Sequence, residues 1–250
     1  MRAWLLAGLL LGLVLPSPGS AELLLLTEEA PPTSYRRDGR LGGYSVEVVR
    51  MLVQRTGHAV HMELLPWTRA YHLVKTEPDT ALFSMVRTEA REPLFQWVGP
   101  ILQGTTRFYS LKSSNLRIDT LEDVANSGTL ALPKQWYSFE TLQRMGFTNL
   151  YGVPNSRQMV IMLKHGRVKL IAAEDVTLRE ELAAGGLSTD DVQAHLSFMK
   201  SDYYIAFSRQ TAPAVIAEWQ RQLDGMRRDG SLMQIRQRWL PEPGSAEPAQ

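Results

Sequence analysis

The sequence predicts an α/β protein of two lobes, each a mainly parallel sheet with flanking helices, and three observations carry that expectation. Short, continuously apolar runs alternate with amphipathic stretches between residues 23 and 86, in the order strand, helix, strand, helix, strand. The same alternation restarts near residue 119 and continues to about residue 186. Two successive units of this size imply two lobes rather than one sheet. At 250 residues, 44% of them apolar, the chain can bury a substantial core.

In the first unit, Leu23–Leu26 is a buried parallel strand stopped by Thr27 and Glu28. Pro31-Pro32 and Asp38-Gly39 mark a loop. Tyr44, Val48, Met51, Leu52 and Arg55 recur at helical spacing, and Gly57 ends that helix. Val60, Met62 and Leu64 alternate with His61 and Glu63 as a strand with one polar face. A helix over about 68–76 and a buried strand at Ala81–Val86 complete the unit.

The second unit opens with Asp119 or Thr120 capping a helix at Leu121–Ala125, followed by a strand at Thr129–Leu132. A helix at Ser138–Met145, a strand at Asn149–Val153, a helix capped by Ser156 and a buried strand at Val168–Ala173 come next. Thr177 opens a further helix, which Gly185-Gly186 closes. The C-terminal region is helical. Val215, Ile216, Trp219, Leu223 and Met226 form one stripe, Asp229-Gly230 turns the chain, and Leu232, Ile235 and Trp239 form a second. The last ten residues, PEPGSAEPAQ, lack apolar anchors and read as a disordered tail.

Composition removes whole function classes. Twenty-seven basic against 26 acidic residues leave no excess to hold nucleic acid. The lack of cysteine excludes disulfides, thiolate metal sites and thiol nucleophiles. No His-Glu-x-x-His, Gly-x-Ser-x-Gly or phosphate-loop motif is present, so no metal or cofactor is expected. His58 and His61 stand three apart around a strand, which points them to opposite faces.

Residues 1–21 read as an export signal. Arg2 precedes an apolar run from Ala3 to Leu15, prolines 16 and 18 break it, and Gly19 and Ala21 suit signal peptidase, placing cleavage after Ala21. The run is short for a membrane span, which disfavours an uncleaved anchor. The expected product is a soluble periplasmic protein, monomeric and not inserted in the membrane.

Three stretches resemble one family. Arg40–Arg50, RLGGYSVEVVR, is similar to the Gly-aromatic-acidic helix opening of bacterial extracellular solute-binding proteins of family 3. Thr88–Pro100, TEAREPLFQWVGP, looks like that family's Thr-x-x-Arg segment, and Tyr203–Leu240 resembles its C-terminal pattern. Pro66-Trp67-Thr68-Arg69-Ala70 looks like a segment common in one branch. The resemblance covers about residues 23–240 and implies a type II periplasmic-binding-protein fold. Lobe 1 would be residues 22–108 plus 204–240, and lobe 2 residues 109–203. A two-segment hinge would lie near Arg107–Leu111 and Asp202–Ile205, with ligand bound between closing lobes.

The resemblance also nominates site residues. Arg91 would grip a ligand carboxylate through its planar fork. Glu174 would receive an ammonium group, with neighbouring Asp175 an alternative that one residue of slip would exchange. Trp67 would flank the ligand, Tyr35 and Glu29 would form another gate, and Ser84, ending the third strand, would present its hydroxyl or nearby amides. The loop Pro133–Ser138 lacks the Gly-Ser-Thr run that cradles carboxylate in amino-acid binders, and offers Trp136 and Tyr137 to narrow the cleft or stack on a ring. Val86 replaces a hydroxyl residue common in the family. The function implied is capture of a small polar, carboxylate-bearing solute, an amino acid or relative, for an ABC-type inner-membrane permease. Two alternatives stand beside it: a periplasmic dehydratase acting on prephenate or arogenate, and a soluble ligand-sensing subunit.

Overall fold

The computed structural model describes residues 22–240. The expected signal peptide at 1–21 and tail at 241–250 lie outside the described residues. Among the described residues ten strands and eight α-helices follow one another, and eight of the strands form one sheet in the order β4-β1-β5-β10-β6-β9-β7-β8.

One half of that sheet is β1 (Leu23–Thr27), flanked in parallel by β4 (Val60–Leu64) and β5 (Thr80–Val86). The crossovers are α1 (Tyr44–Thr56) and α2 (Trp67–Thr76). Gly57 closes α1 at φ 70°, in the left-handed region where a side chain is strained. The other half is β7 (Leu130–Pro133), flanked in parallel by β8 (Leu150–Val153) and β9 (Leu170–Glu174). Its helices are α3 (Leu121–Asn126), α4 (Tyr137–Arg144), α5 (Ser156–Lys164) and α6 (Leu178–Gly185). Helices α7 (Pro213–Arg228) and α8 (Ser231–Trp239) return to the first half. There Trp219, Leu223 and Met226 pack with Val49, Leu52 and Phe207. The second half has its own core around Phe108, Leu132, Val160 and Leu182.

Two 16-residue strands cross between the halves, β6 (Gln96–Leu111) and β10 (Val192–Phe207), paired antiparallel along most of their length. Strand β10 joins β5 through Tyr203–Phe207, whereas β6 joins β9 through Thr106–Tyr109. The change of neighbours therefore falls around Gly104 and Ser201, which pair with each other. Arg107 pairs with Ala173 and Phe108 and Tyr109 sit in the second core, so the crossing lies upstream of Arg107–Leu111 on this strand.

Three local expectations change. The segment after Pro31-Pro32 contains a hairpin, β2 (Tyr35–Arg37) with β3 (Arg40–Gly42), closed by the Asp38-Gly39 turn. Thr120, rather than Asp119, caps α3 through a capping box with Asp123. Asn155, not Ser156, caps α5, its side-chain oxygen accepting from Gln158 N–H at 2.9 Å.

Candidate functional site

A cavity of about 230 Å3 lies between the two halves. It opens at the carboxyl ends of the parallel strands, where crossover topology leaves loops and helix starts to converge. Glu28 and Glu29 follow β1, Trp67 begins α2 after β4, and Ser84 and Val86 lie in the last part of β5, which Val86 ends. From the second half, Trp136 and Tyr137 follow β7, Asn155 follows β8, and Glu174 ends β9.

Arg91 enters from the turn after β5. Its backbone N–H donates to Thr88 carbonyl at 3.0 Å, and a short 3-10 turn at Glu92–Leu94 follows. The side chain is only 4% exposed. Its guanidinium carbon lies 5.1 Å from the Trp67 ring centre and 5.6 Å from that of Tyr71, two rings stacked on each other at 5.5 Å. Behind them Phe95, Trp97 and Tyr204 continue an edge-to-face chain of rings. Nη2 of Arg91 donates to both carboxylate oxygens of Glu140, on α4 of the opposite half, at 3.3 Å each.

Ser84 does not end its strand. It sits within β5 at φ 62°, where the pairing with β10 slips between Tyr204 and Ile205. This is a β-bulge, the irregularity that re-aims a side chain out of the pleat. Ser84 lines the cavity, and its hydroxyl is buried without a hydrogen-bond partner. A non-glycine residue held in this backbone region costs about 1–3 kcal/mol, and such residues concentrate at binding sites.

Glu174 is 4% exposed and accepts from Tyr203 hydroxyl at one oxygen and from Thr106 Oγ1, 3.3 Å away, at the other. Thr106, Tyr137 and Ser201 join their hydroxyls at 2.6–3.2 Å, so crossing strands β6 and β10 and helix α4 meet at this carboxyl. Burial pushes Glu174 up to about 7, against the pull of its hydroxyl donors. The Asp175 side chain accepts from Thr105 N–H at 2.9 Å and does not line the cavity, so Glu174 is the one that faces it.

Besides Glu140, sequence reasoning missed two acids that line the cavity. Glu28 is pushed up to about 7 by burial, with Arg91 pulling it down. Glu181, on α6, is pushed up to about 8 by burial, with a Thr177 hydrogen bond opposing, and its Oε2 has no partner. A signal for Glu181 was present: it shares the buried stripe of Leu178, Leu182 and Gly185, where a charge does not belong unless it serves something. Counting Glu29 and Glu180, five carboxyl groups and one cation, Arg91, line the cavity among the described residues.

Of the nominated residues, Arg91, Glu174, Trp67, Ser84, Glu29, Trp136 and Tyr137 come together here. Tyr35 does not. Its ring packs edge-on against Trp239 at 6.1 Å with Arg37 above it, because the hairpin folds that side chain onto α8. Among the described residues there is no grouping of three or more histidine, aspartate or glutamate side chains suited to a metal ion, and no helix long and apolar enough to cross a membrane.

The sequence profile of the bacterial extracellular solute-binding proteins, family 3, matches residues 24–242. No curated protein matches the chain. Among solved structures, a histidine kinase sensor domain with similarity to periplasmic binding proteins superposes with a TM-score of 0.80 at 18% identity, covering 89% of this chain and 97% of that one. A mutant of ArgBP from T. maritima gives 0.76 at 17% identity, covering 88% and 96%. The arginine-, lysine-, histidine-binding protein ArtJ from Geobacillus stearothermophilus gives 0.75 at 12% identity, covering 90% and 97%. At these identities the likeness is one of fold.

Proposed function

This chain belongs to the bacterial extracellular solute-binding proteins of family 3, and we propose that it captures a small carboxylate-bearing solute, an amino acid or close relative, in the periplasm. It delivers that solute to an ABC-type permease as an exported monomer. The observation that carries this reading is the placement of one buried guanidinium, Arg91, and one buried carboxyl, Glu174, on opposite sides of a single cavity. A zwitterion needs that polarity: a planar fork for its carboxylate and an acceptor for its ammonium. Solved structures of similar fold that hold arginine, glutamine or L-glutamate support an amino-acid ligand.

In this reading the two lobes divide near Gly104 on β6 and Ser201 on β10, a few residues before the expected boundaries at 108/109 and 203/204. Strands β6 and β10 flex where they cross, and closure removes the ligand from water. Affinity comes from charge pairs made in a dry cleft, with no bond made or broken. A thermal-shift screen of amino acids, polyamines and organic acids identifies the ligand. Calorimetry then tests the clamp: Arg91→Ala costs about 2–5 kcal/mol, or roughly 30-fold to several thousand-fold in affinity. Arg91→Lys recovers part of it, and Arg36→Ala changes little. Parent-like binding by Arg91→Ala would refute the carboxylate clamp.

One observation favours a second reading, a prephenate- or arogenate-type dehydratase. Glu174, held at about 7 inside the cavity, keeps a proton near neutrality, as a general acid must. Mixing the protein with prephenate and following phenylpyruvate absorbance separates this from pure binding.

A further inference from the structure

Among the described residues, the one cation that lines the cavity, Arg91, is already engaged by the protein itself. Arg91 belongs to the half built on β1 and β5; Glu140 belongs to α4, in the half built on β7. Among the ion pairs of the described residues, this is the one that joins the two halves. Arg55–Asp229, Arg87–Glu92 and Arg238–Glu47 lie within the first half, and Arg117–Asp119 within the second.

We propose that Glu140 is an internal stand-in for the ligand's carboxylate, one that holds the cleft shut through Arg91 and sets the threshold an incoming carboxylate must exceed. The proposal rests on the reading that the ligand presents a carboxylate to Arg91. A guanidinium packed on Trp67 and Tyr71 and 4% exposed needs a counter-anion. Glu140 supplies one, in a form suited to being displaced. A single nitrogen serves both of its oxygens at 3.3 Å, longer than the 2.7–2.9 Å of a tight charge-assisted bond, and its side chain is 46% exposed. A ligand carboxylate that meets two guanidinium nitrogens in parallel makes the better pair.

Helix α4 is well placed to carry such a latch. Tyr137, one turn before Glu140, binds Thr106 and Ser201 on the two crossing strands at 2.6 Å each. Its neighbour Trp136 lines the cavity. The end of α4 that offers the stand-in is thus fastened to the strands about which the halves would move.

The experiment has two arms. The chain has no cysteine of its own, so Arg69→Cys on α2 and Gln143→Cys on α4, both exposed, place spin labels on either side of the cleft alone. Pulsed distance measurements at low salt with no added ligand compare the labelled parent with Glu140→Gln. The closed-to-open ratio should fall about two- to fivefold, the span a partly exposed ion pair supports. The second arm titrates L-arginine and agmatine, which differ by the carboxylate. Glu140→Gln should tighten L-arginine by a similar factor, because the free protein loses a bond that the complex no longer holds. Agmatine, which leaves Arg91 to Glu140, should not tighten. Superimposable distance distributions, or L-arginine binding that Glu140→Gln leaves unchanged or weakens, would overturn the proposal. The distance arm needs no ligand, so failure of L-arginine to bind any variant would count against the amino-acid reading, not against the latch.

Discussion

Glu181→Gln should make the protein more stable, and by an amount that depends on pH. Glu181 is 9% exposed on α6, one oxygen lacks a partner, and burial lifts its carboxyl from 4.5 to about 8. In the unfolded chain the group ionises near 4.5; in the folded protein it keeps its proton to about 8. Between those values the folded state binds more protons than the unfolded one, so stability is fully present below pH 4.5 and falls as pH rises. Each pH unit in that window is about 1.4 kcal/mol, so by pH 7 the cost reaches about 3 kcal/mol, a large part of a typical 5–15 kcal/mol total. Glutamine keeps the shape of the protonated acid and cannot ionise. Urea denaturation should therefore give near-equal stabilities for parent and variant at pH 4.5. At pH 7 the variant should be about 2–3 kcal/mol more stable, with unfolding slopes against urea unchanged. Parallel pH profiles would mean that Glu181 ionises in the fold as it does in water, and the reasoning from burial would fail.

Three further outcomes follow from local geometry. Gly43 has φ 115° and its added Cβ would stand 2.4 Å from Thr33 carbonyl oxygen, a backbone atom that cannot step aside, so Gly43→Ala should cost about 2 kcal/mol or more by thermal or urea unfolding. At Gly104 a Cβ would fall 2.7 Å from Glu174 Oε2; Gly104→Ala should displace that carboxyl from Tyr203 and alter ligand affinity more than stability, seen by calorimetry alongside melting. Thr120→Ala removes the α3 capping box and should cost about 1 kcal/mol, with no effect on binding.

The parallel halves were legible because their strands are short apolar runs and their helices carry clear stripes. Leu23–Leu26, Ala81–Val86 and Val168–Ala173 needed only hydropathy to be placed, and all of their residues but Leu24, Ser84 and Lys169 are buried. Strands β6 and β10 were not legible by that route. Residues Gln96–Leu111 include Gly99, Pro100 and Gly104, which read as breakers, and neither strand alternates cleanly, because each passes through two different cores. The hairpin at Asp38-Gly39 gave its turn but not its strands, which are three residues each and largely polar. At the site, residues within a recognisable motif or at a strand end were found. Glu28, Glu140 and Glu181 were not: the helical stripe marks Glu181 as buried, but nothing in linear order says that three separate acids converge on one cleft.

Two of these missed residues, Glu28 and Glu181, share a physical character with the bulge at Ser84. Each is a place where the chain accepts a cost that folding alone does not require: a carboxyl taken from water, a hydroxyl with no partner, a serine in left-handed backbone. All three line the same 230 Å3 cavity. Local rules that fail independently, on different strands and helices, yet converge on one spot, are what a binding site leaves in an otherwise consistent fold. The sign of the cost is informative too. Over the whole sequence 27 basic residues nearly balance 26 acidic ones, yet among the described residues the cavity gathers five carboxyl groups around a single guanidinium. A ligand that brings positive charge would draw those carboxyl groups toward ionisation, so its capture would release protons and strengthen as pH rises through 7, the direction in which the empty fold weakens. Stability and binding would thus be opposed through the same side chains, and the ligand would supply what the empty cleft lacks.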